Sequence, residues 1–188
     1  MAARAKIRWR YWRSATIRFR QAGRRVSLEV LPHLVALRWE RGSSMSVAEA
    51  LPEAERSRAL RALELTLVEV RGGQAARRLW QRLEELHSAG RLRFATPLLR
   101  EPVSGLRQIL TDEITVRWKQ AGDMAARLEA LRREFGLALV RRSTFVERQC
   151  VVRLEKAFGL ATLEAAQAVD GKPEIDFAAA NFISEAGR

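Results

Sequence analysis

The chain has 188 residues, of which 47% are apolar, a formal net charge of +12 and a single cysteine, Cys150. This length and apolar content suffice for a core in one domain, or in a small domain plus a lobe, and one cysteine excludes an internal disulfide. The sequence contains no apolar run of about eighteen residues and no apolar stretch after the first basic residues, which argues against a transmembrane span and a secretory signal. We therefore expect a cytoplasmic protein.

The positive charge is concentrated at the N-terminus. The first 25 residues carry nine basic side chains and no acidic one. Residues 1–41 have a formal charge of +9, which leaves only +3 for residues 42–188. A local excess of this kind is typical of a binding device rather than of general solubility. We therefore divide the chain into a basic, aromatic-rich N-terminal arm or lobe (1–41) and a helical body (42–188).

Residues 5–31 fit a strand and a helix about equally well. Around Phe19, apolar and basic residues alternate with a period of two, as they do in strands. The same segment also carries Trp9, Trp12, Thr16 and Phe19 at the spacing of one helix face. Pro32 interrupts the pattern, and residues 34–39 form a short apolar element.

The next segments are predicted to be helical. Ser46 can cap a short helix over 47–51, and Pro52 can open another over 53–70. In the second half of the segment 53–70, apolar and polar residues also alternate as they do in a strand. Residues 74–88 have the apolar stripe of an amphipathic helix, with Gly90 where a C-terminal cap belongs. Residues 91–94 are predicted to form a short strand.

The C-terminal half continues the helical pattern. Apolar residues recur every fourth position at Leu106, Leu110, Ile114 and Trp118. Further helices are predicted over 124–135 (capped by Asp123 and ended by Gly136), 137–158, 162–169 and, weakly, the tail 174–188. Cys150, with apolar residues four positions away on either side, is predicted to face the core. The expected fold class is mainly α: a compact bundle of five to seven helices, with room for a short β element near the N-terminus.

No motif points to catalysis. The two histidines, His33 and His87, have no metal-site spacing, and Gly72-Gly73 lacks the Gly-Lys-Ser/Thr ending of a phosphate-binding loop. The acidic pairs Glu84/Glu85 and Asp112/Glu113 are interpreted as solvated helix faces. We expect no enzymatic activity, metal, cofactor or small-molecule substrate.

The N-terminal segment combines guanidinium groups with aromatic rings, which suits a phosphate backbone with unstacked bases. The predicted backbone contacts are Arg8, Arg10, Arg13, Arg18, Arg20, Arg24 and Arg25, with stacking from Trp9, Tyr11 or Trp12. Alternatively, Trp9, Trp12 and Phe19 are core residues and the arginines form an exposed rim. We expect one of Trp9 and Trp12 to be core and the other to be a contact residue.

Three hypotheses for function follow. The first is a non-enzymatic nucleic-acid-binding subunit, for RNA or DNA, of a bacterial or phage nucleoprotein assembly, with other protein subunits as partners. The alternative is a structural subunit of a multiprotein or membrane-surface complex without nucleic acid, whose arm binds an acidic groove or an anionic membrane. The third is a helix-turn-helix DNA-binding regulator built from helices 53–70 and 74–88, with Arg77 and Arg78 facing outward to read bases.

Overall fold

A largely antiparallel sheet with four α-helices forms the fold in the computed structural model, which describes residues 15–21, 24–40, 42 and 45–185. The strands are β1 (Thr16–Gln21), β2 (Arg24–Trp39), β3 (Arg56–Leu60), β4 (Leu65–Glu69), β5 (Leu92–Arg100), β6 (Arg107–Trp118), β7 (Leu137–Arg142), β8 (Gln149–Leu154), β9 (Ala157–Phe158) and β10 (Ile175–Glu185). The helices are α1 (Val47–Ala50), α2 (Gly73–Ser88), α3 (Met124–Phe135) and α4 (Ala161–Asp170), and a 3-10 turn (Arg61–Leu63) separates β3 from β4. The strand order is β3-β4-β2-β5-β6-β8-β7, with β1 beside β2, β10 beside β6 and β9 beside β5.

One order of elements occurs twice along the chain. The elements β2, α1, β3, β4, α2 and β5 form a first unit, whose strands lie side by side as β3-β4-β2-β5. The elements β6, α3, β7, β8, α4 and β10 form a second unit, with the equivalent order β7-β8-β6-β10. Each unit has the connectivity of a split β-α-β motif. Because β5 pairs with both β2 and β6, the two units share one continuous sheet.

In the first unit, both faces of β2 are buried. Val35 and Leu37 pack in a cluster with α2, whereas Leu34 and Ala36, which point the other way, pack in a cluster with Phe94 of β5. A strand covered on both faces needs apolar residues at consecutive positions, which explains the uninterrupted apolar run over 34–37.

In the second unit, α3 and α4 cover one face of the sheet. Ile114 and Trp118 of β6 are buried in a cluster with Leu131 of α3 and Leu163 of α4. Phe19 of β1 joins the same cluster, so the N-terminal hairpin and the second unit share a core.

The predicted helical bundle is wrong, because four of the eight predicted helical segments form strands of one sheet. The four-residue spacing of Leu110, Ile114 and Trp118 places these side chains on one face of a strand as well as of a helix, since four residues are two strand periods and nearly one helical turn. All three side chains are buried in β6. Leu106, the first residue of the pattern, precedes β6 and is 36% exposed. The spacing therefore coincides with three core positions but did not distinguish a strand from a helix.

Three other predicted helices are also wrong. Segment 53–70 forms β3, the 3-10 turn and β4, and 137–158 forms β7, β8 and β9. The tail 174–188 is not helical in its described part, which forms β10. In each case pairing with a distant strand outweighs a local preference that was only weakly helical.

Helices with strong end signals are confirmed. Helix α2 occupies 73–88, and α4 occupies 161–170. Helix α3 begins where Asp123 accepts a hydrogen bond from the Ala125 backbone N–H at 2.9 Å, and ends at Gly136 with φ 69°. Ser46 caps α1 in a reciprocal arrangement with Glu49.

The ambiguous N-terminal segment forms strands over its described part. Residues 16–21 are β1, and β2 runs from 24 to 39. Strand β2 lies inside the sheet, with β1 and β4 along one edge and β5 along the other. The division into 1–41 and 42–188 stays a prediction. In the part of the chain that the structure describes, no helix is long and apolar enough to cross a membrane.

Candidate functional site

The hairpin formed by β1 and β2 has one apolar and one basic face. Phe19 points into the core, where it is 6% exposed and its ring centroid lies 6.2 Å from that of Phe182. Arg18 and Arg20 alternate with it along β1 and are exposed. The period-two pattern of the sequence therefore places arginines on the outer face of the hairpin.

The register of the hairpin brings like charges together. Arg20 lies directly opposite Arg25, and Gln21 lies opposite Arg24 at the turn end. Directly opposed side chains share a face, and like charges at such positions destabilise a sheet. Within the described ranges, Arg18, Arg20, Arg24 and Arg25 form no ion pair with an acidic side chain.

The only acidic side chain in β1 and β2 is engaged elsewhere. Glu29 accepts hydrogen bonds at Oε2 from Arg100 Nη2 at 2.5 Å and from Arg100 Nε at 2.9 Å. Along the hairpin it lies opposite Thr16, away from the turn. The arginines near the turn are therefore not neutralised by the hairpin itself.

Many arginines outside the hairpin do have acidic partners. The ion pairs are Arg38–Asp112, Arg71–Glu55, Arg82–Glu85, Arg100–Glu29, Arg117–Asp176, Arg133–Glu129, Arg141–Glu113, Arg153–Asp112 and Arg153–Glu113. The charge excess of the sequence therefore appears at the hairpin as exposed guanidinium groups. Arg18, Arg20 and Arg25 share its outer face, and we take them as the candidate site, the arginine face; Arg24, opposite Gln21, lies on the other face.

A second charge cluster is buried and joins the two units. Asp112 of β6 lies 3.1 Å from Arg38 of β2, measured from Oδ2 to Nη1, and 3.2 Å from Arg153 of β8, measured from Oδ2 to Nε. Arg38 Nη2 also donates a hydrogen bond to the Leu63 carbonyl at 3.2 Å. The interpretation of Asp112 as part of a solvated helix face is therefore wrong. Its partners are internal, so the cluster contributes to stability rather than to binding.

Large apolar side chains are exposed on β7 and in the turn that follows it. Leu139 is 43% exposed, Val140 37% and Phe145 96%, and Arg141 and Arg142 beside them are also exposed. Apolar and aromatic residues accompanied by arginine are typical of the centres of protein–protein interfaces. Sequence reasoning missed this surface, because it predicted a helix over 137–158 instead of strands.

The helix-turn-helix arrangement is not formed. Arg77 and Arg78 are exposed on α2, as predicted, but the segment 53–70 that should supply the first helix forms β3 and β4. Six of the predicted contact residues lie outside the described residues: Arg8, Trp9, Arg10, Tyr11, Trp12 and Arg13. The expectation for Trp9 and Trp12 therefore stays a prediction.

Cys150 is buried on β8. Burial raises the pKa of its thiol from 9.0 to about 11, although the positive charge of Arg142 acts in the opposite direction. The thiol is therefore protonated near neutral pH, which does not suit a nucleophile or a metal ligand. In the described ranges, no group of three or more His, Cys, Asp or Glu residues is placed to hold a metal ion.

We expect Cys150 to resist the thiol reagent DTNB at pH 8 in the folded protein and to react fully in denaturant, as read from the released thionitrobenzoate. Because folding raises its pKa, the stabilising contribution of the neutral thiol is complete below the unfolded value of 9.0 and is lost as the pH rises through about 11. Rapid labelling of the folded protein at pH 8 would contradict this expectation.

Comparison of the chain with protein-family models, with curated protein sequences and with solved structures gives no match. The argument for function therefore depends on the arginine face and on the exposed surface of β7.

Proposed function

We propose that the protein is a non-enzymatic subunit of a cytoplasmic protein complex, and that its arginine face binds an acidic surface of a partner protein. The observation that carries the proposal is the placement of Arg20 directly opposite Arg25 on an exposed face without an internal counter-charge. A carboxylate of the partner placed between the two guanidinium groups relieves their repulsion and accepts charge-assisted hydrogen bonds.

Two observations favour a protein partner over a nucleic acid. Phe19, the aromatic side chain of β1 between Arg18 and Arg20, is buried and so cannot stack on a base. The exposed Leu139 and Phe145 are an additional feature of protein-binding surfaces. Binding of RNA or DNA stays a sequence-based prediction that depends on Trp9, Tyr11 and Trp12.

The test compares the wild-type chain with the triple variant Arg18→Ala, Arg20→Ala, Arg25→Ala. Binding of a fluorescein-labelled polyglutamate peptide is followed by anisotropy at low and moderate salt. Three exposed ion pairs at roughly 0.5 kcal/mol each amount to about 1.5 kcal/mol, so we expect affinity about tenfold weaker in the variant and a weaker dependence on salt.

A charge-matched control separates the arginine face from net charge. The variant Arg78→Ala, Arg91→Ala, Arg132→Ala removes three exposed arginines outside the hairpin and should keep nearly all of the affinity. Equal losses in the two variants would contradict the proposal. The same assay is repeated with a single-stranded oligonucleotide of equal charge. If it binds the wild type more tightly than the peptide does, and the triple variant loses this binding, the partner of the arginine face is a nucleic acid rather than a protein.

A further inference from the structure

Two unpaired strand edges of the sheet are protected against further pairing. At the edge of β10, the Ala178 backbone N–H donates to Asp170 Oδ1 at 2.8 Å, and the Ala180 carbonyl accepts from Gln21 Nε2 at 3.2 Å. Side chains thus form hydrogen bonds with backbone groups that another strand would need for pairing. At the edge of β3, the exposed Arg56 and Arg58 supply the charges that commonly keep strand edges from associating.

The edge formed by β7 carries exposed arginines, as β3 does, but it also presents large exposed apolar side chains. Within the described ranges, β7 pairs only with β8, and the register shift between Leu139 and Arg141 leaves Val140 without a partner on β8. Leu139 and Val140 are large, apolar and partly exposed, and Phe145 follows in the turn at 96% exposure. An edge with exposed apolar side chains is a template for an added strand.

We propose that β7 binds an extended segment of a partner protein as an added strand, with apolar side chains against Leu139 and Val140 and acidic side chains against Arg141 and Arg142. Arg142 has no acidic partner among the described residues. Arg141 pairs with Glu113 at 3.8 Å, but its side chain is 64% exposed, so a second carboxylate can still reach its guanidinium group. A second copy of this chain is disfavoured as the occupant, because two molecules of charge +12 repel each other and edge-to-edge pairing would bring their arginines together. This surface is separate in sequence from the arginine face.

A phage-displayed library of random eight-residue peptides is the probe. Selection on the wild-type protein should enrich sequences in which two consecutive apolar residues adjoin two consecutive Asp or Glu residues, because Leu139-Val140 is followed by Arg141-Arg142 along β7. The most enriched peptide is then synthesised. The double variant Leu139→Lys, Phe145→Ser should bind it at least about tenfold more weakly than the wild type does, since loss of central apolar contacts usually lowers affinity strongly. The control Val103→Lys alters an equally exposed apolar residue (96% exposed) in the turn between β5 and β6 and should bind as the wild type does.

Two further measurements separate this proposal from the previous one. The triple hairpin variant should keep its affinity for the selected peptide, and amide hydrogen exchange over 137–142 should slow when the peptide binds. Phe145→Ser alone changes a side chain that is 96% exposed, so it should leave the fold intact. It should also weaken binding of the peptide. Three results would each overturn the proposal for β7. The double variant could bind the selected peptide as tightly as the wild type, the hairpin variant could be the only one to lose binding, or the wild type could form a dimer that Leu139→Lys dissociates.

Discussion

Asp112→Ala should lower the free energy of unfolding by about 3–5 kcal/mol, because it leaves the partly buried Arg38 without a counter-charge and removes one of the two carboxylates that Arg153 contacts. The side chain of Asp112 is 4% exposed, and those of Arg38 and Arg153 are 16% and 30% exposed. Solvent can therefore replace the lost carboxylate only in part. The effect should be large because Arg38 belongs to the first unit of the sheet and Asp112 to the second.

The measurement is equilibrium unfolding in urea, with Asp176→Ala as the matched control. Asp176 pairs with Arg117 at 2.5 Å, but both side chains are about 40% exposed (42% and 39%), and exposed pairs are usually worth no more than about 1 kcal/mol. A loss for Asp112→Ala as small as that of the control would show that the buried cluster does not join the two units.

Phe19→Ala should cost about 3–5 kcal/mol of stability, as removal of a buried aromatic side chain typically does. Phe19 is 6% exposed, and its ring stacks on that of Phe182 with an interplanar angle of 24°. The substitution removes an aromatic contact between the hairpin and β10. Phe145→Ala is the control, because a side chain that is 96% exposed should change stability by no more than about 0.5 kcal/mol.

Thermal unfolding and binding, measured on the same variants, separate a core role from a contact role for this ring. Phe19→Ala should lower the melting temperature and, well below that temperature, keep the affinity for polyglutamate, because the arginines remain on the outer face. A variant of normal stability that lost affinity for a single-stranded oligonucleotide would make Phe19 a stacking residue and contradict its assignment to the core.

Signals confined to neighbouring residues predicted local structure well. Helix α3 begins beside Asp123 and ends at Gly136, as expected from a capping carboxylate and from a glycine that adopts a positive φ at little cost. Cys150 was predicted to face the core and is buried, and Ile114 and Trp118 of the four-residue apolar repeat are buried too, although the predicted type of element was wrong. Burial follows the apolar spacing, and a spacing of four positions suits one face of a helix or of a strand.

The sequence alone determined the excess of positive charge, the absence of acids before Glu29 and the positions of the well-capped helices, because these depend on composition and on residues a few positions apart. Only the tertiary structure decided that β6, β8 and β10 are strands, since each pairs with a strand distant in sequence. It also decided the environment of Asp112, whose counter-ions lie 74 and 41 positions away at Arg38 and Arg153. The candidate sites divide in the same way. The arginine face was visible in the sequence as a basic, acid-free segment. The exposed apolar edge of β7 depends instead on the non-local pairing of β8 with β6, which places the β7–β8 hairpin at the border of the sheet.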